Sequence, residues 1–363
     1  MNFKTEITDT VDSDLWEKTL LNDSNSTAYQ LPDFFTPSKE IFNSKPVFIL
    51  VYDASGKIVG QLSGAIHFSD NWLNSNRFSN SITSKLRLGY SLNWFYGPII
   101  HDQENYAEIL TNILTAIDKV AIENNVNLIR GLTPPQKITI PIEIFKKFNY
   151  SINPWITYKT DLTKNIDDIF NSLHKHTRYD IRKGENKGLV FEAVNTKTSF
   201  DQYADVKFEE KNKVEEMQKL HSRKLFLNRV WDTSYKNGHQ KMFLARYEEK
   251  PIATIVNVIF NGNVVQMGVG NSPVRNLYGG SFLAWNTIKW FSEMNYKTYD
   301  VGGANPNPTT KKEEGINNFK SKWNSEKLDY FFCTKIFNKT KLNISNIIKQ
   351  PKSIKHKISK YFH

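Results

Sequence analysis

A β-hairpin, an amphipathic helix and a short buried strand follow one another twice in this chain, and that repeat constrains its fold more than any single motif. In the first copy, Pro46 to Phe68 holds two β-rich runs joined at Asp53-Ala54-Ser55-Gly56, a hairpin signal. A helix then spans Tyr106 to Asn124 and leads into Val126 to Arg130. Its stripe is Ile109, Leu110, Ile113, Leu114, Ile117 and Val120. In the second copy, Lys241 to Gly270 reads strand, turn near Glu248 to Lys250, strand, Asn261-Gly262 turn, strand. A helix from about Ser281 to Asn295 turns Trp285, Ile288 and Phe291 inward and leads into Tyr299-Asp300-Val301. The expectation is an α/β chain of two tandem domains of like fold. With 363 residues, 39% of them hydrophobic, the chain can bury two cores.

The boundaries follow from the same pattern. Residues 1–152 form the first domain, 153–334 the second, and 335–363 a basic tail. A helix Ile142 to Phe148 closes the first domain, Asn149 to Pro154 reads as a hinge, and a strand Thr157 to Leu162 opens the second. The polar stretch Ser69 to Ser84 reads as a surface loop, and the charged span Phe200 to Lys236 as helices capping the second domain.

No apolar run approaches the ~18 residues of a spanning helix, and the start lacks the apolar core of a secretory signal. Cys333 is the one cysteine, so an internal disulfide and a thiolate metal cage are both excluded. These features point to the cytoplasm. Net charge is +11, yet the tail alone holds eight lysines and no acid, so the remaining 334 residues carry only +3. In the tail, Ile344, Ile347, Ile348, Ile354, Ile358, Tyr361 and Phe362 recur at helical spacing between lysines. That pattern fits the inner face of an anionic membrane, a solubilising tail, or contact with tRNA phosphates.

Conventional catalytic sets are missing. There is no Walker loop, no G-x-G-x-x-G, no G-x-S-x-G elbow and no H-E-x-x-H. The close pair His174 and His176 has a spacing that points to different helix faces, so no metal site is expected. What stands out is Tyr299-Asp300-Val301-Gly302-Gly303, then Gly315 to Trp323 with Phe319-Lys320 inside it. Glycines directly after a buried strand let a ligand or another backbone approach. The following loop sits at the carboxyl end of that strand, where α/β sheets bind ligands. Spacing alone leaves Lys320 readable as a solvated lysine beside a core phenylalanine.

The pattern Y-D-V-G-G followed by G-I-x-x-F-K-x-x-W resembles the signature of the FemABX family, the non-ribosomal aminoacyl transferases that build peptidoglycan cross-bridges. Asp161-Leu162 with Arg178 to Gly188, Tyr96-Gly97-Pro98, and Gln30 near aromatic residues resemble other family segments in family order. The resemblance covers roughly residues 28 to 335. It implies two tandem domains of the GNAT acyltransferase type, each a mixed central sheet flanked by helices. Two segments depart from the family pattern: Arg130 to Pro135, where an acidic residue is common, and Val265 to Gly270, where an aromatic is expected.

The resemblance also implies a function. Phe319 and Lys320 would lie beside the reacting acyl group, the lysine stabilising an oxyanion. Asp300, Gly302 and Gly303 would line the site. Arg223, in His221-Ser222-Arg223, and Lys39 would grip the phosphates of a nucleotide-linked precursor. The implied reaction joins an aminoacyl group from aminoacyl-tRNA to an amine of a peptide or glycan precursor, possessing no bound cofactor or metal. A second reading is acyl-CoA-dependent N-acylation of a sugar amine or lipid. For that reading Arg275, Gly279 and Gly280, opening a helix, would cradle phosphate. A non-catalytic binding protein on the same fold is a third.

Overall fold

A computed structural model describes residues 3–68, 89–136, 140–208, 214–271, 276–323 and 325–349. The Ser69 to Ser84 loop, Arg275 and the tail beyond 349 lie outside the described residues. The strands are β1 (Lys4–Thr8), β2 (Lys45–Tyr52), β3 (Ile58–Phe68), β4 (Tyr90–Trp94), β5 (Ile99–Ile100), β6 (Leu128–Leu132), β7 (Ser151–Asp161), β8 (Val190–Ala193), β9 (Gln240–Tyr247), β10 (Lys250–Phe260), β11 (Asn263–Asn271), β12 (Thr298–Asp300) and β13 (Glu326–Ile336). They form one sheet in the order β1-β2-β3-β4-β6-β13-β7-β12-β11-β10-β9-β8, with β5 paired to β3.

Both hairpins form where turn chemistry demands. The Asp53 carboxylate accepts from the backbone N–H of Ser55 (2.8 Å) and Lys57 (3.0 Å), closing β2 on β3. Asn261 and Gly262 both take positive φ, 51° and 75°, the mirror-image turn that matches strand twist. The helix Tyr106–Glu123 buries its whole aliphatic stripe against β2 and β3. The helix Gly279–Glu293 buries Trp285, Ile288 and Phe291 against the second half of the sheet. On the opposite face, Phe200, Tyr203 and Val230 from the helices Lys197–Phe208 and Val214–Val230 cover Met242, Leu244 and Val256.

The junction corrects the hinge expectation. Asn149 does turn the chain, with φ 62°, but Ser151 to Pro154 are already β7, paired with β13 from Thr334↔Ser151 to Glu326↔Lys159. The later half of β13 also pairs with β6, from Phe332↔Leu132 to Ile336↔Leu128. One C-terminal strand therefore lies between the two halves and joins them into a continuous sheet. A further core mixes both halves: Trp16, Tyr29 and Phe48 pack with Val258, Val265 and Tyr330. Polar contacts add to it, with Asn263 donating to the carbonyls of Ser24 (2.9 Å) and Ser26 (3.1 Å), and Arg229 pairing with Glu40. Among the described residues, no helix is long and apolar enough to cross a membrane.

The His239–Asp33 pair links the halves at 2.7 Å, with both side chains 19% exposed. Burial pushes the imidazole pKa down, but the hydrogen bond and charge of Asp33, with Glu17, raise it above its usual value. A histidine raised on folding stabilises fully below its unfolded pKa of about 6.5, and that contribution is lost as pH rises through the folded value. Urea melts between pH 6 and 9 should show this loss in the wild type and a flatter profile in Asp33→Asn. Identical slopes would remove the pair from the linkage.

Candidate active site

The site starts from the register of β7 and β12. Asp300 stands opposite Lys159 across the antiparallel pair, and Thr157 is the same-face neighbour two residues along β7. Both therefore face the Asp300 carboxyl. Thr157 donates its hydroxyl to Oδ1 of Asp300, and the Gly302 N–H donates to the same oxygen at 2.7 Å. Asp300 is only 1% exposed, and that burial raises its pKa against the opposing pull of these donors and of Lys159 and Lys320.

After Asp300 the chain turns sharply. Gly302 has φ 78°, and a side chain there would also press the backbone oxygen of Gln266 at 2.8 Å. Gly303 has no room for a Cβ because the Tyr330 hydroxyl and the Trp155 indole occupy that space. Ala304 then rejoins β7 through two backbone hydrogen bonds with Ile156, of 2.7 and 3.0 Å. Meanwhile β11 pairs with β12 only as far as Val265↔Asp300 and runs on to Asn271 beside β10.

Lys320 reaches this turn from the helix Lys311–Ser321, whose start is fixed by a capping box between Thr310 and Glu313. Its Nζ donates to the Gly303 carbonyl at 2.7 Å. Burial lowers the lysine pKa to about 8, while the Asp300 charge holds it up. An ammonium has three N–H groups, so one fixes the head and two remain for an incoming oxygen. Phe319 is 36% exposed and makes an edge contact with Trp323, ring centres 5.7 Å apart. Asp300 also lines a small cavity with Asn25, Thr27, Tyr96, Lys159 and Val265.

Five of the expected residues thus come together: Asp300, Gly302, Gly303, Phe319 and Lys320. Arg223 and Lys39 occupy a different place. Their helices, Val214–Val230 and Thr36–Phe42, pack on each other, with Phe226 stacked on Phe42 at 5.5 Å. Gly279 has a packing reason, since a Cβ there would meet Ile252 at 3.1 Å and Ala253 at 3.4 Å. Gly280 follows it in the first turn of the same helix. Gln30 donates to the carbonyls of Phe95 (2.9 Å) and Tyr96 (2.6 Å), so it braces the Tyr96-Gly97-Pro98 turn. The His174 and His176 rings correct the spacing argument: they lie 5.2 Å apart because His174 is the N-cap, outside the helix Lys175–Asn186. Among the described residues no group of three metal-ligating side chains converges there or elsewhere.

Thr157, Lys159 and Tyr330 carry no signal in the sequence, and Tyr96 has one only through the Tyr96-Gly97-Pro98 turn. Tyr96 and Tyr330 meet edge to face at 5.5 Å and hydrogen-bond through their hydroxyls. These residues come from three distant segments, and only the strand register unites them.

Residues 171–320 match the acetyltransferase (GNAT) domain family. No curated protein sequence matches the chain. Among solved structures, FemX is similar at 11% identity and TM-score 0.64, covering 90% of this chain and 96% of its own. A tandem GNAT protein from the clavulanic acid biosynthesis pathway is similar at 11% identity and TM-score 0.58, with 92% and 98% covered. L-PGS from Bacillus licheniformis is similar at 11% identity and TM-score 0.52, with 93% and 97% covered. The likeness to FemABX proteins carried by the sequence pattern thus holds in the fold: the chain has a tandem GNAT-like fold similar to that of FemX, and residues 171–320 match the GNAT domain family.

Proposed function

We propose that the protein transfers an aminoacyl group from aminoacyl-tRNA to an amine of a cell-envelope peptide or glycan precursor. The observation that carries this reading is the part-buried Lys320 ammonium, anchored on the Gly303 carbonyl just past the end of β12. The acceptor nitrogen attacks the ester carbonyl, and Lys320 faces the oxygen that gains charge. The carbonyl–oxygen bond to the ribose then breaks, and the departing oxygen takes the proton lost by the amine. The ester is already activated, so no covalent enzyme intermediate is needed. Orientation of the two substrates supplies up to ~7–11 kcal/mol in such reactions. Arg223 and Lys39, on their helix pair, would hold the acceptor's phosphates. Similarity in fold to FemX and to L-PGS from Bacillus licheniformis supports an aminoacyl donor.

The tandem GNAT protein described without its AcCoA favours the second reading, an acyl-CoA donor. Against it, the glycine opening the helix Gly279–Glu293 is accounted for by packing on β10. The deciding experiment offers the protein charged tRNA and coenzyme A separately and follows binding and amide formation. Transfer from charged tRNA, with no saturable binding of coenzyme A, is the expected result. Tight coenzyme A binding with indifference to tRNA would move the assignment to the acyl-CoA reading.

A further inference from the structure

The helix Lys175–Asn186 carries Lys175, Tyr179 and Lys183 at four-residue steps, with Lys187 one step beyond, so they form one ridge. Its other side is committed to the core through Thr177, Ile181 and Gly184, the last packed on Phe282. Tyr179 is 53% exposed although it is a large aromatic. It is held from two directions: the Lys183 ammonium lies 5.4 Å from its ring centre, and Tyr278 meets it edge to face at 6.4 Å. One end of the ridge abuts the active-site helix, since the His174 N–H donates to the Lys322 carbonyl at 3.1 Å. A cationic ridge with an exposed aromatic in it thus leads toward Phe319 and Lys320.

We propose that this ridge binds a single-stranded, phosphate-bearing RNA end, the base stacking on Tyr179 and the backbone lying along Lys175, Lys183 and Lys187. Aromatic platforms within a positive track are the general means of holding single strands, because every base offers a ring face and every nucleotide a charge. The inference rests on the aminoacyl-tRNA reading and deepens it by placing the donor's unpaired end.

The test measures binding of the full chain to an uncharged acceptor-stem hairpin with a four-nucleotide 3′ overhang, and to the same hairpin made blunt. Wild type should prefer the overhang. Tyr179→Ala should weaken overhang binding about 5- to 150-fold, Tyr179→Phe should not, and neither should change blunt binding. Lys183→Ala/Lys187→Ala should lower the slope of log affinity against log salt by about 0.7 per lysine. If wild type prefers the overhang but these variants bind as wild type does, the ridge is wrong and the donor reading stands. If wild type ignores both hairpins yet binds coenzyme A, the ridge and the donor reading fall together. Circular dichroism of the exposed-site variants confirms that folding is intact.

Discussion

Lys320→Ala is expected to slow acyl transfer about 10²–10³-fold, the loss seen when a main oxyanion donor is removed. The effect should fall on the chemical step, because the lysine head group meets charge that exists only in the transition state. Lys312→Ala, exposed on the same helix, should keep the wild-type rate. Single-turnover transfer assays of the two variants make the comparison. Equal rates for both would remove Lys320 from the mechanism.

Gly303→Ala should damage both stability and rate. The new methyl would fall where the Tyr330 hydroxyl and Trp155 indole already meet, in a region with Tyr330 only 2% exposed. Overpacking of this kind costs typically 1–3 kcal/mol. The Gly303 carbonyl is also the acceptor that fixes Lys320 Nζ, so relieving the clash displaces the cation. A urea melt should show the lower stability, and the rate should fall at a temperature where the variant is still folded. A variant with wild-type stability would mean that Tyr330 and Trp155 can withdraw at little cost.

Much of this arrangement was legible in the chain. The helices Tyr106–Glu123 and Gly279–Glu293 follow their apolar stripes closely, since burial of one face is what a 3.6-residue period encodes. The Asp53 and Asn261-Gly262 turns were equally plain, being decided within four residues. Lys320 was found through the Phe319-Lys320 pattern, and its place beside Gly303 follows from the helix that Thr310 caps. The joining strand β13 was not legible, because alternation marks a strand without naming its partners. Asn149 to Pro154 misled for a related reason. Pro154 is tolerated in β7 because it pairs opposite Phe331 of β13, beyond the reach of β12, which ends opposite Lys159. Thr157 and Lys159 were invisible until the β7–β12 register put them on the Asp300 side. The departure at Arg130-Gly131 has a packing reason instead: a Cβ on Gly131 would overlap the buried Trp94 ring.

The pH dependence of transfer in wild type relative to Lys320→Arg tests the role of the Lys320 cation most directly. Arginine stays charged throughout, and deprotonation of the acceptor amine is common to both enzymes, so it cancels in the ratio. Lys320 is an ammonium below its pKa of about 8 and neutral above it. If the ammonium is the working form, the ratio is level below pH 7 and falls above pH 8, approaching tenfold per unit. Asp300→Asn should move that fall to lower pH, because the Asp300 charge is what holds the lysine pKa up. A ratio that stays flat to pH 10, or rises through pH 8, would contradict a charged Lys320 at the reacting carbonyl.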